Sequence, residues 1–166
     1  PISQFDKEDV EELGLLKLDV LGIRMQSAMA YALREVDRVD HDRIELDAVP
    51  LDDEPTFRMI RTAHTLGCFQ IESPGQRELI GRFGPQTFTD IVIDISLFRP
   101  GPVKSDMINP FLRARQGWDQ VSYLHPDLEE ALHETSGVVV FHEQVLQIVS
   151  RIAGCSLAEA DEVRRA

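Results

Sequence analysis

The chain has 166 residues, 43% of them apolar, enough to build the core of one ordinary domain and too many for a disordered tail. No run approaches the ~18 apolar residues that span a bilayer, and the two cysteines, Cys68 and Cys155, lack C-x-x-C partners, so a membrane protein, a disulfide scaffold and a structural zinc site are excluded and a reducing, cytoplasmic setting is expected. The net charge of −12 argues against a uniformly basic nucleic-acid binder, yet residues 1–57 carry −9, residues 58–120 carry +2 and residues 121–166 carry −5, so a polyanion would meet the middle or the extreme carboxy-terminal end. The plain alternative is an acidic domain whose charges serve solubility. Opening on Pro1 without a leader and stopping at Arg164-Arg165-Ala166 in mid-pattern, the sequence is expected to be a piece of something longer.

Residues 13–22 alternate between two glycines, Gly14 and Gly22, as a short strand would, with Leu16, Leu18 and Val20 on one face and Lys17 and Asp19 on the other. An apolar stripe predicts a helix over 23–36, and the charged residues 37–47 a solvated connector. Asp52 or Asp53 before Glu54-Pro55 starts a helix that continues to Arg61. Residues 67–72 alternate briefly as an extended segment. Ser73 caps a helix that has Pro74 in its first turn and runs to Phe83; Thr87 to Asp90 opens another through Leu97. The prolines of Arg99-Pro100-Gly101-Pro102 force a rigid, extended elbow. Further helices are expected over 106–115, 126–134 and 143–153, with an extended apolar segment at 137–141, and Ser156-Leu157-Ala158-Glu159 opens a last one carrying Arg164 and Arg165. No internal repeat appears.

Lys17 and Asp19 at alternate strand positions place an ammonium and a carboxylate about 7 Å apart on one face. That arrangement suits a magnesium-bound polyphosphate, the carboxylate holding the hard cation and the lysine neutralising phosphate oxygens. Taken alone it is most simply an ordinary surface pair. His142-Glu143 begins like a zincin helix, but Leu146 stands where a second histidine is needed. His41, His64, His125 and His133 have no ligand spacing, Asp40-His41-Asp42 lies in a connector, and no serine sits in a G-x-S-x-G elbow. Arg164 and Arg165 read most simply as a solvated helix end complementing the dipole. Arg99, on a rigid elbow, presents a fixed fork of donors that suits phosphate.

Six stretches, Gly14-Leu15-Leu16-Lys17-Leu18-Asp19-Val20-Leu21-Gly22, Gly67-Cys68-Phe69-Gln70-Ile71-Glu72-Ser73, Leu97-Phe98-Arg99-Pro100-Gly101-Pro102, Tyr123-Leu124-His125-Pro126-Asp127-Leu128, Val140-Phe141-His142-Glu143-Gln144-Val145 and Ala158-Glu159-Ala160-Asp161-Glu162-Val163-Arg164-Arg165-Ala166, occur in the order found in the bacterial DNA polymerase III alpha subunit. Together they resemble that family C DNA polymerase over essentially the whole chain. The variants Gln70-Ile71-Glu72-Ser73-Pro74-Gly75-Gln76-Arg77 and Phe141-His142-Glu143-Gln144 are most similar to its error-prone, damage-inducible branch.

The resemblance implies a mainly α fold with a few short β segments: one strand of a polymerase-beta-like palm over residues 1–22, then the amino-terminal, helical part of the fingers over 23–166. It implies a DNA-directed DNA polymerase that transfers a nucleotide from a deoxynucleoside triphosphate to a primer 3′ hydroxyl with magnesium, in error-prone or translesion synthesis. Asp19 then matches the third catalytic carboxylate and magnesium ligand. Lys17, Arg99, Arg164 and Arg165 fall to the triphosphate or template, with His142 and Gln144 as secondary candidates. Partners are primer-template DNA, the incoming nucleotide and other replication or mutasome proteins, with no membrane. The family's remaining two metal ligands form an Asp-x-Asp pair upstream of the matched stretch, so this chain by itself is expected to be inactive, with weak or no DNA binding. A different class of reading is a non-catalytic helical protein-interaction module in which the Arg99 elbow is structural.

Overall fold

The computed structural model describes residues 4–16, 18, 20, 22–99 and 106–166. Lys17, Asp19 and Leu21 of the expected strand, and Pro100 to Ser105 of the expected elbow, lie outside the described residues. The chain divides into two compact units, Pro1–Val49 and Pro50–Ala166.

In the first unit, α1 (Lys7–Glu12) is opened by Asp6, whose carboxylate accepts from the Asp9 N–H at 2.9 Å while Asp9 reaches back to the Asp6 N–H. Helix α2 (Ile23–Asp40) runs four residues past the end of its apolar stripe. Arg38 is a good helix former and pairs with Glu35 one turn away at 2.7 Å. The solvated connector therefore begins at His41 rather than at Asp37. A 3₁₀ turn, Leu46–Ala48, follows. Neither helix buries a residue within this unit, and Leu13, Leu15, Leu16, Leu18 and Val20 are exposed.

The second unit is a stack of helices whose starts follow the capping residues in the sequence. Asp53 caps α3 (Glu54–Arg61), Ser73 caps α4 (Pro74–Phe83), and Thr87 caps α5 (Phe88–Leu97) in a box with Asp90. Helix α6 (Ile108–Arg115) begins two residues later than expected. The expected helix over 126–134 is instead a 3₁₀ turn (Pro126–Leu128), a single turn α7 (Glu129–Leu132) and another 3₁₀ turn (His133–Thr135). Helix α8 (His142–Ala153) packs on α9 (Leu157–Arg165), which opens with the Ser156–Glu159 capping box and buries Ala160.

Helix α4 is the centre of this unit. Leu79 and Phe83 face a cluster with Ile93, Leu97, Phe111, Leu112 and Val140, and Phe83 meets Phe111 edge-on with ring centroids 5.2 Å apart. Its other face sends Ile80 against Ile60 and Ile71. Residues 3 and 4 apart on one helix thus serve two hydrophobic clusters.

The fold is helical, and the two extended segments read in this unit form no strand among the described residues. Residues 67–72 are successive turns: Cys68 N–H donates to Thr65 O, Ile71 N–H to Cys68 O, and Gln70 adopts φ +64°. Alternating polarity there reflects a coil with Ile71 buried, not a pleat. At 137–141 the backbone donors go to side chains and turns instead of a neighbouring strand. Gly137 is required here, because its φ is +83° and a Cβ would stand 2.6 Å from the Ser122 carbonyl oxygen.

Candidate functional site

Two of the residues singled out in the sequence are brought together. Arg164 and Arg165, on the last turn of α9, share the Asp161 carboxylate: Arg164 Nη2 lies 2.8 Å from Oδ1 and Arg165 Nη2 2.6 Å from Oδ2. Hydrogen bonding from Arg164, helped by Arg165, holds the Asp161 carboxyl below the usual carboxylate range. Asp161 serves both guanidiniums, and each retains further N–H groups able to donate to a ligand. Surface screening makes the pairs themselves weak, so an incoming phosphate competes with Asp161 at small cost.

Arg99 is exposed and directly follows α5. Its position is set by the preceding residue. Phe98 closes α5 by donating its N–H to Asp94 O, and its ring lies across α4, where a Cβ on Gly75 would come within 2.5 Å of Phe98 Cζ. The Pro-Gly-Gln start of α4 thus seats the residue that leads into the elbow.

His142 is the first residue of α8 and is exposed. Gln144 is buried, and its amide is fully engaged: Oε1 accepts from the Val140 and Phe141 N–H groups at 2.7 and 2.9 Å, and Nε2 donates to Ala131 O and Thr135 Oγ1 at 3.1 and 2.7 Å. Within this unit it ties the start of α8 to the α7 turn, and no amide hydrogen remains for a nucleotide. Lys17 and Asp19 are outside the described residues. No group of three histidine, cysteine, aspartate or glutamate side chains is placed to hold a metal ion among the described residues.

Three polar arrangements were not foreseen. Asp90, with its side chain only 4% exposed, pairs with Arg115 at 2.7 Å and accepts the N–H groups of Gln86 and Thr87. Arg115 in turn lies over the Phe83 ring, 5.6 Å from its centroid. Gln76 donates to Asp94 in the interior between α4 and α5, where no described residue bonds the second Asp94 oxygen. Thr87-x-x-Asp90 is visible as a capping box, but its partner Arg115 is 25 residues away and carries no local signal. Arg82 and Trp118, 36 positions apart in the sequence, line one groove.

The helical unit and its arginine-bearing ends can be set against known proteins. The family model for the finger domain of the bacterial DNA polymerase III alpha subunit matches residues 25–166. The chain is 44% identical over 164 residues to an error-prone DNA polymerase of Symbiobacterium thermophilum, and 42% identical over 164 residues to error-prone DNA polymerase 2 of Rhizobium meliloti. It is 39% identical over 174 residues to the DNA polymerase III subunit alpha of Pseudomonas aeruginosa. Each likeness covers 99% of this chain and 15% of the relative's own length. The chain belongs to the finger-domain family of the bacterial DNA polymerase III alpha subunit.

Proposed function

We propose that this chain is the finger region, with the last palm strand, of a DNA-directed DNA polymerase of the error-prone branch, acting in translesion or damage-linked synthesis in the cytoplasm. The observation that carries the reading is the family match over residues 25–166, joined to end-to-end likeness with both error-prone polymerases and a DNA polymerase III subunit alpha. No helix among the described residues is long and apolar enough to cross a membrane.

Residues 1–22 belong to the palm and 23–166 to the fingers in this reading. Asp19 holds magnesium and Lys17 neutralises the triphosphate, while Arg99, Arg164 and Arg165 bind the triphosphate or template from the fingers. Gln144 acts through the backbone it pins, and His142, exposed at the start of α8, is free to approach a ligand. The described residues do not by themselves fit a magnesium centre, and one carboxylate at position 19 cannot hold two ions. The metal therefore depends on ligands outside this chain, and no step is drawn through it. What the chain supplies is positive charge placed by helix ends: guanidiniums whose forked donors match phosphate oxygens and offset charge during phosphoryl transfer. Primer-template DNA and a deoxynucleoside triphosphate are the substrates, and replication or mutasome proteins are partners.

Primer extension by the full-length polymerase tests the assignment of the arginines. Arg99→Gln and Arg165→Gln are each expected to lower kcat/KM for the nucleotide about tenfold or more, since hydrogen bonds to charged groups contribute about 1.5–3 kcal/mol. Unchanged kcat/KM in both variants refutes triphosphate or template contact. The 166-residue chain alone is expected to extend no primer; magnesium-dependent synthesis by it would contradict that expectation.

A further inference from the structure

Between α4 and α6 lies a groove of about 370 Å³ lined by Arg82, Asn109, Leu112, Arg113, Gln116 and Trp118. Resting on the polymerase reading, we propose that this groove holds the single-stranded template ahead of the primer terminus, with one base stacked on Trp118 and its phosphate on Arg82.

Trp118 is the chain's only tryptophan and is 70% exposed. Its indole offers a broad π face on which a base can stack. The ring's carrier is well fixed: the Trp118 and Asp119 N–H groups both donate to Arg113 O, at 2.9 and 3.2 Å, and Gly117 N–H donates to Ala114 O, closing the end of α6. Gln116 Nε2 donates to Arg82 O at 2.8 Å and ties that loop to α4.

The charges on the groove are unequal. Arg113 spends its Nε and Nη2 edge on Asp119, at 2.6 and 2.7 Å. Arg82 has no acidic partner among the described residues; its Nη2 donates to the neutral Asn109 Oδ1 at 3.2 Å. A cation held by an amide beside a free aromatic face matches a phosphate next to a base, the pairing by which single strands are bound without sequence preference. The interior of a duplex does not fit the same site, because its base pairs are already stacked on both faces. The segment also lies within residues 58–120, where the acidic chain turns net positive.

Equilibrium binding by the full-length polymerase tests this, using fluorescence anisotropy with a labelled primer-template carrying an eight-nucleotide 5′ overhang and a blunt duplex of equal length. Trp118→Ala is expected to weaken binding of the overhang substrate roughly tenfold and to leave the blunt duplex within about twofold, while Trp118→Phe keeps most of the affinity. Arg82→Gln is expected to reduce the slope of log K against log salt by about 0.7 on the overhang substrate. Wild-type overhang affinity in both Trp118→Ala and Arg82→Gln overturns the proposal, as does an equal loss on blunt and overhang DNA. Either result leaves the polymerase reading standing, which fails separately if the wild-type full-length protein extends no primer.

Discussion

Asp94 and Gln76 set a cost that varies with pH. Asp94 is fully buried and Gln76 2% exposed. Loss of hydration pushes the Asp94 carboxyl up to about 7, with the Gln76 hydrogen bond pulling it back. An acid whose pKa is higher in the folded chain holds its proton more tightly there. Stability is then full below the ordinary value of 3.8 and declines as pH rises through about 7. Urea unfolding at pH 5.5 and pH 8 is expected to show the wild-type chain losing about 2 kcal/mol more than Asp94→Asn across that interval. Parallel profiles for the two proteins would show that Asp94 does not titrate in the fold. Arg115 makes a second prediction at this scale. Its removal leaves Asp90 buried with two backbone donors still in place, so Arg115→Ala is expected to cost about 1–2 kcal/mol in chemical denaturation. No measurable change would mean that the cation contributes nothing to the packing of α5 on α6.

At the scale of elements, Gln144 and Gly75 decide how the helices meet. Replacing Gln144 with Leu strips partners from two backbone N–H groups and from Thr135 Oγ1, all at or near the interior. Thermal or urea unfolding of Gln144→Leu is expected to show a loss of about 2–4 kcal/mol, and wild-type stability would contradict the tie described here. Helix starts were legible in the sequence because capping is local: Asp53, Ser73, Thr87 and Ser156 each sit three residues before the N–H they accept. Helix α1 was passed over although Asp6-x-x-Asp9 carries the same signal, since no apolar stripe follows it. The end of α2 was misplaced for the opposite reason: a helix held by charged residues outlasts its apolar face. Segments 67–72 and 137–141 read as extended because alternation and a valine run specify burial, but burial alone does not supply a partner strand. The pairs Asp90–Arg115 and Gln76–Asp94 depend on helix packing over 25 and 18 positions, which no local spacing encodes.

Over the whole molecule, the charge gradient and the motif order carried the functional reading better than any single residue did. The acidic first unit and the near-neutral middle are not the charge pattern of a uniformly basic nucleic-acid binder, and six ordered motifs pointed to a family that the match over residues 25–166 now shows. The arginines at 164 and 165 were legible as cations; that they share Asp161 was not. The Arg82–Trp118 groove was invisible in sequence because its two principal residues come from helix α4 and from the loop beyond α6. The central claim about the chemistry is that Asp19 is a catalytic carboxylate, and single-turnover primer extension by the full-length enzyme carrying Asp19→Asn tests it most directly. With DNA binding checked in parallel, the account predicts a fall in the incorporation rate of at least about a thousandfold, near 4 kcal/mol in the barrier, with affinity for primer-template retained. Incorporation at the wild-type rate would contradict it.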